Sequence, residues 1–126
     1  MGARRRRITT FVCIALIASL SPCAAAFAES PNKAEIALGK KVFYTRCVFC
    51  HGEGPGHPAW QMLELKKGKS QAEIVGRADL TPVYIKHVVR NGLIEMPPFR
   101  PSEISQKQLN ALAAYITNPK GAADPK

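Results

Sequence analysis

The stretch Cys47-Val48-Phe49-Cys50-His51 is the most specific motif in this chain. Two cysteines separated by two residues and followed directly by a histidine are typical of covalent haem attachment. The thiols add across the two vinyl groups of the porphyrin, and the histidine then lies next to the iron as its proximal ligand. The motif therefore predicts one covalent haem c, bound through Cys47 and Cys50, with His51 as an axial ligand.

A second stretch, residues 91–99, supplies a candidate for the other axial ligand. Met96 lies 45 residues after His51, and a thioether opposite a histidine raises the reduction potential of haem iron. Two prolines follow Met96 and keep its backbone out of the helical region, which suits a loop that holds a side chain still. Met62 is the competing sulfur donor, and it ranks below Met96 because it lies in a helical pattern. With His51 and Met96 on the iron, no position would remain for oxygen, peroxide or substrate.

Length and composition limit the number of domains and the size of the core. The chain has 126 residues, of which 46% are hydrophobic and 7% aromatic. This length is enough for one small domain with a small core. Because a domain of this size is marginally stable on burial alone, we expect a bound haem to complete the core.

The first 28 residues are typical of a cleaved export signal. Arginines occupy positions 4–7, an apolar run covers residues 8–20, and Ala26-Phe27-Ala28 forms a site of the small-x-small type. The apolar run is short for a membrane span, so an uncleaved anchor is the less favoured alternative. We therefore expect a mature periplasmic protein, starting at Glu29, without stable membrane insertion.

The net charge has two sources. The formal charge is +9, from 18 basic and nine acidic residues, but four of the basic residues belong to the predicted signal. The mature chain would keep 14 basic and nine acidic residues, which gives +5. Basic patches with interleaved aromatic residues are missing from the sequence, so we expect no nucleic-acid partner. The remaining lysines form either a solvated face or a docking surface for a redox partner.

Other uses of Cys47 and Cys50 have to be weighed. An exported protein with one remaining cysteine pair could carry a disulfide. A thioredoxin-like pair requires a preceding strand and a longer α/β chain, whereas this sequence has no β alternation. Zinc would need further ligands, and only His57 and His87 remain. His57 is expected to be an exposed loop residue, since residues 52–58 contain three glycines and two prolines.

The hydrophobic periodicity predicts helices throughout. Gly39 lies inside the first helix, where glycine costs about 1 kcal/mol relative to alanine, so we expect another helix to approach it closely, with Phe43 and Tyr115 beside the crossing. The carbonyl of Pro55 or Pro58 is a candidate acceptor for the second ring nitrogen of His51. The expected elements are a helix capped by Ser30, a short helix over residues 59–65, a turn with a capping box from Ser70 to Glu73, a helix from Thr81 to Asn91, and a final helix capped by Ser105 and Gln108.

Taken together, the haem motif, the glycine and aromatic residue of the preceding helix, the Met-Pro loop and the terminal helix resemble a class I c-type cytochrome. The resemblance covers residues 29–118 and leaves residues 119–126 as a flexible tail. It implies a small all-α cytochrome c fold, with three main helices and short helical turns around one covalent haem. Matching positions imply thioethers at Cys47 and Cys50 and axial ligation by His51 and Met96.

A narrower resemblance extends from Gly76-Arg77, through Tyr84-Ile85-Lys86 and residues 88–92, to Met96-Pro97. This run is similar to the cytochrome subunit of flavocytochromes that oxidise 4-alkylphenols, of the 4-cresol dehydrogenase (hydroxylating) and eugenol hydroxylase types. The resemblance implies an electron-transfer subunit and not an enzyme in itself, with a flavoprotein dehydrogenase subunit as donor and another periplasmic redox carrier as acceptor. The chain departs from that family over residues 52–77, where the connection looks longer.

Other functions stay open at the level of sequence. Within electron transfer, the alternative is a free-standing shuttle that serves another dehydrogenase or a terminal oxidase. A peroxidase-like haem enzyme or a haem-based ligand sensor would each need a vacant iron position, which a ligating Met96 would fill.

Overall fold

The computed structural model describes residues 31–121, and their regular secondary structure is helical. Strands are missing from these residues, which confirms the predicted all-α class. The predicted signal segment and residues 122–126 lie outside the described residues. The elements are α1 (Lys33–Arg46), α2 (Val48–His51), α3 (Pro58–Lys67), α4 (Pro82–Asn91), α5 (Gln106–Thr117) and two 3-10 turns (Lys69–Gln71 and Pro119–Gly121).

The starts of α4 and α5 follow from the sequence. The hydroxyl of Thr81 accepts a hydrogen bond from the Tyr84 N–H at 3.2 Å, and Pro82 takes the first helical position. Ser105 and Gln108 form the predicted capping box, in which each side chain accepts a hydrogen bond from the backbone N–H of the other, at 3.3 and 2.8 Å. The Thr81 cap and the Ser105–Gln108 box thus provide acceptors for backbone N–H groups that have no partner within their own helix.

Two predicted starts are wrong. The first helix is capped by Asn32, whose side-chain oxygen accepts the Glu35 N–H at 2.9 Å, and not by Ser30. Asparagine is as good a cap as serine and stands closer to the first apolar position. The expected capping box at Ser70 is replaced by the 3-10 turn Lys69–Gln71, which has no side-chain cap.

The core is formed where α1 crosses α5. A Cβ atom added to Gly39 would lie 1.9 Å from the carbonyl oxygen of Ala111 and 2.7 Å from the Cβ of Tyr115, so only glycine permits this approach. The rings of Phe43 and Tyr115 meet beside the crossing, with centroids 5.7 Å apart. The predicted close approach is therefore confirmed. Helix α4 packs against α5, and the core cluster comprises Ile36, Val42, Phe43, Ile85, Val89, Ile104, Leu109, Leu112, Ala113, Tyr115 and Ile116.

The connection between α2 and α4 contains a helix where the sequence predicted one, over residues 59–65. Helix α3 extends over Pro58–Lys67 and packs against α2, with Trp60 buried. The Gly76 N–H donates to the carbonyl oxygen of Ile116 at 2.7 Å, which fixes the connection to the end of α5. Among residues 31–121, no helix is long and apolar enough to cross a membrane.

Candidate haem-binding site

The cysteine-histidine motif continues the helical path of α1 through one turn. The Cys47 N–H donates to the Phe43 carbonyl at 2.8 Å, and the His51 N–H donates to the Cys47 carbonyl at 2.8 Å. Residues three and four apart lie on the same side of a helix. Cys47, which caps α2, therefore lies on the same face as Cys50 and His51 within α2, as a single cofactor with three attachment points requires.

The imidazole of His51 is half-buried, and its Nδ1 atom is buried without a hydrogen-bond partner. The predicted bond to the carbonyl of Pro55 or Pro58 is thus not formed. Burial lowers the pKa of His51, which favours the neutral ring that binds metals. Buried polar atoms without partners are rare in folded proteins and point to a functional role. This ring, next to two cysteines, fits a site for haem iron.

The two thiols are free, with Cys47 half-buried and Cys50 exposed. Burial, and to a lesser extent the charge of Cys50, raises the pKa of Cys47 to about 11. A catalytic thiol pair of the thioredoxin type depends instead on a thiolate with a lowered pKa. The environment of Cys47 therefore disfavours the thiol-redox alternative and fits a cysteine used for attachment.

His57 is not the exposed loop residue that the sequence predicted. Its Nδ1 donates to the carbonyl oxygen of Phe49 at 3.2 Å, and its half-buried ring occupies the space where Gly52 lacks a Cβ atom. A Cβ atom at Gly52 would lie 2.4 to 2.7 Å from three atoms of this ring. The loop therefore folds back on the haem motif and braces it. The glycine directly after His51 was the sequence feature that could have indicated this contact.

Met96 closes a tight turn that starts at Leu93. The Met96 N–H donates to the Leu93 carbonyl at 2.9 Å, and the Leu93 N–H donates to the Met96 carbonyl at 3.0 Å. Ile94, inside the turn, has a φ of 53°, which is unusual for a β-branched residue. Such strained backbone is often found at functional sites.

One residue from each predicted ligand segment contacts the hydrophobic core. Cys47 and Met96 are each half-buried and pack against the same hydrophobic cluster. Met62, the competing sulfur donor, is 48% exposed on α3. Burial therefore favours Met96 over Met62 as a ligand, as the sequence did. Across the described part of the chain, no group of three or more histidine, cysteine or acidic residues offers an alternative metal site.

The sequence of this chain matches a known protein family. The model of the family described as cytochrome c oxidase, cbb3-type, subunit III matches residues 34–116, which include both predicted ligand segments. The chain belongs to this cytochrome c family. Its membership confirms the predicted class I c-type cytochrome, implies haem c as the cofactor and supports electron transfer as its function.

Among solved structures, the cytochrome is similar to a chain in the crystal structure of p-cresol methylhydroxylase with substrate bound. The two chains are 26% identical, with a TM-score of 0.47, and the similarity covers 67% of this chain and 95% of the other. No curated protein sequence matches the cytochrome.

Large apolar side chains are exposed beside both ligand segments of the cytochrome. Phe49, between the two cysteines, is 73% exposed, and Ile94, two residues before Met96, is 82% exposed. Leu93 is half exposed in the same turn. Exposed apolar groups at both segments fit a site that receives a large apolar group such as haem.

Arg77, in the connection before α4, forms an ion pair that sequence reasoning did not identify. Its guanidinium donates to both carboxylate oxygens of Asp79, at 2.9 and 2.5 Å, and to the Gln71 carbonyl at 2.8 Å. The hydrogen bond from Arg77 lowers the pKa of Asp79. All three contacts lie within the connection, so Arg77 stabilises the local backbone.

Proposed function

We propose that this cytochrome is a periplasmic one-electron carrier with a single haem c. Cys47 and Cys50 would hold the haem through two thioethers, and His51 and Met96 would be its axial ligands. The observation that carries the proposal is the packing of Cys47 and Met96 against one hydrophobic cluster, although they lie 49 residues apart in the sequence. A site built from both segments needs this convergence.

The chain's own residues determine what such a site can do. Haem iron, when bound, supplies a centre that gains or loses one electron. Burial lowers the pKa of His51 and so favours the neutral ring, which is the form that binds iron. The thioether of Met96 favours a higher reduction potential, and in haem proteins the choice of axial ligands shifts the potential over about 0.8 V. Ligation by both residues would exclude oxygen and substrate from the iron, which favours a carrier over a peroxidase-like enzyme or a ligand sensor.

The ligation can be tested by spectroscopy of the purified holoprotein. We expect the ferric protein to show a sulfur-to-iron charge-transfer band that Met96→Ala abolishes and Met62→Ala preserves. We also expect denaturing organic solvent to extract haem from a Cys47→Ala, Cys50→Ala double variant but not from the wild type. A band that survives Met96→Ala, or rapid binding of carbon monoxide to the ferrous wild type, would contradict the proposal.

For the partners, we propose a flavoprotein dehydrogenase subunit that oxidises 4-alkylphenols as the donor, and another periplasmic carrier as the acceptor. The support is the sequence resemblance between Gly76 and Pro97, on α4 and its flanking segments. The alternative is a free-standing shuttle for another dehydrogenase or a terminal oxidase. Purification of the untagged cytochrome from its native cells distinguishes them, because a subunit co-purifies with a yellow flavoprotein. Recovery only as a monomer that reduces unrelated oxidases would refute the subunit proposal.

The periplasmic location has its own test. Cell fractionation should recover the haem-containing protein in the periplasmic fraction, with Glu29 as its first residue. Recovery in the membrane fraction with an intact N-terminus would instead indicate an uncleaved anchor.

A further inference from the structure

Arg90, in the last turn of α4, ties the chain that follows Met96 back to this helix. One guanidinium nitrogen donates to the carbonyl oxygen of Phe99 at 3.0 Å, and a second donates to that of Ile104 at 2.8 Å. The Phe99 N–H in turn donates to the carbonyl oxygen of Val89 at 2.8 Å. Hydrogen bonds from a charged donor are stronger than neutral ones, so Arg90 makes the firmest of these contacts.

The two acceptors of Arg90 lie on either side of a short turn that is itself well ordered. The Arg100 N–H donates to the carboxylate of Glu103 at 2.8 Å, and the Ile104 N–H donates to the Arg100 carbonyl at 3.1 Å. Ile104 is only 1% exposed and belongs to the core cluster. Arg90 therefore joins α4 to a segment that is already anchored in the core.

The start of the same loop is fixed independently of Arg90. The Gly92 N–H donates to the Val88 carbonyl at 2.8 Å, and Gly92 has a φ of 76°. A Cβ atom at Gly92 would lie 2.7 Å from the carbonyl oxygen of Met96. Residues 92–98 are thus held at their beginning by Gly92 and at their end by Phe99, with Met96 between the two anchors.

We propose that Arg90 is a positioning residue that keeps Met96 on the iron. The inference rests on the proposed axial ligation by Met96. The described hydrogen bonds of Arg90 end on backbone carbonyls, so it acts through the loop and not as a ligand. Without its guanidinium, the end of the loop loses two of its hydrogen bonds to α4 and keeps the backbone bond from Phe99 to Val89 and the packing of Phe99 against the core. The loop then opens more easily, and an external ligand displaces Met96 at a lower concentration.

Imidazole binding to the ferric holoprotein tests this role, with loss of the sulfur-to-iron charge-transfer band as the readout. Arg90→Met keeps the apolar stem and removes every donor, whereas Arg90→Lys keeps the charge but cannot bond two carbonyls through a planar fork. We expect Arg90→Met to bind imidazole about tenfold more tightly than the wild type, as the loss of one or more charged hydrogen bonds implies. The imidazole affinity of Arg90→Lys should lie between those of the wild type and Arg90→Met. If Arg90→Met gives no holoprotein, Arg90→Lys is the variant to compare with the wild type.

Asn32→Ala is the matched control, because it removes the cap of α1 and weakens the fold far along the chain from the Met96 loop. We expect its imidazole affinity to stay within about twofold of the wild type, because cap loss destabilises the fold without opening this loop. Equal effects of Asn32→Ala and the Arg90 variants would overturn the positioning role, as would unchanged affinity in both Arg90 variants. Absence of the band from the wild type would instead refute ligation by Met96, and the role of Arg90 with it.

Discussion

Replacing Gly39 by alanine tests the closest contact in the core. The new Cβ atom would lie 1.9 Å from the carbonyl oxygen of Ala111, a backbone atom that no change of rotamer can move. The helices α1 and α5 must therefore separate, which disturbs the neighbouring contact between Phe43 and Tyr115. Overpacking of a core costs about 1–3 kcal/mol, and the short distance to a backbone atom places this substitution at the upper end, about 3 kcal/mol.

Helix propensity opposes part of this loss. Alanine is favoured over glycine by about 1 kcal/mol inside a helix, so the expected net decrease in the free energy of unfolding is about 2 kcal/mol. For a domain of this size, each kcal/mol shifts the midpoint of thermal unfolding by about 4–8 °C. We therefore expect Gly39→Ala to lower that midpoint by about 8–16 °C.

Urea unfolding of the holoprotein, followed by far-ultraviolet circular dichroism, measures the effect. Ala37→Gly is the matched control, since Ala37 is an exposed residue of the same helix. It should lose about 1 kcal/mol through propensity alone. At Gly39, by contrast, glycine should be more stable than alanine, because the packing against α5 outweighs the helix propensity. A Gly39→Ala variant as stable as the wild type, or more stable, would refute this account of the crossing.

Two further predictions concern contacts outside the core. Gly52→Ala should lower the free energy of unfolding by about 1–2 kcal/mol, because the new Cβ atom displaces the His57 ring. In a His57→Ala background this loss should disappear, and equal losses in both backgrounds would exclude the contact. Asp79 has a lowered pKa in the folded protein, so its carboxylate adds stability above its ordinary pKa and loses this effect as the pH falls through the lowered value. In urea titrations, Asp79→Asn should therefore destabilise the protein at neutral pH, and this loss should shrink as the pH falls below the ordinary pKa of the carboxyl and disappear once the pH is below the lowered pKa. A loss of the same size at neutral and at strongly acidic pH would contradict the pairing with Arg77.

The features that the sequence predicted correctly are of two kinds. Some depend only on residues close together in the chain, and one depends on a residue type that is costly in its place unless a contact requires it. The box of Ser105 and Gln108 needs only residues three apart, and the start of α4 needs only Thr81 followed by a proline. Gly39 was informative because a glycine within a helix requires a compensating contact. That contact, with Ala111 and Tyr115, lies more than 70 residues away in the sequence, yet the cost of the glycine revealed it.

The features that the sequence missed depend on how the backbone turns. Residues 70–73 have the letters of a capping box, but Gly68, with a φ of 86°, redirects the chain and a 3-10 turn follows. His57 was expected in solvent because its loop is rich in glycine and proline. Such a loop can equally fold back, and here the missing side chain of Gly52 makes room for the ring. Composition predicts that a segment is irregular, but not where it lies.

The two proposed axial ligands can be recognised from the sequence, but the residues that hold those ligands in place cannot. Iron chemistry restricts a ligand to a few side chains, whereas a carbonyl oxygen accepts a hydrogen bond from many donors at many separations. Arg90 reaches acceptors nine and 14 residues ahead, a spacing that matches no periodic pattern. The supports also differ in kind, since His51 belongs to a helical turn braced by His57, whereas Met96 belongs to a loop held at its two ends. A loop opens at lower free energy than a packed helical turn, so ligand exchange should begin on the Met96 side.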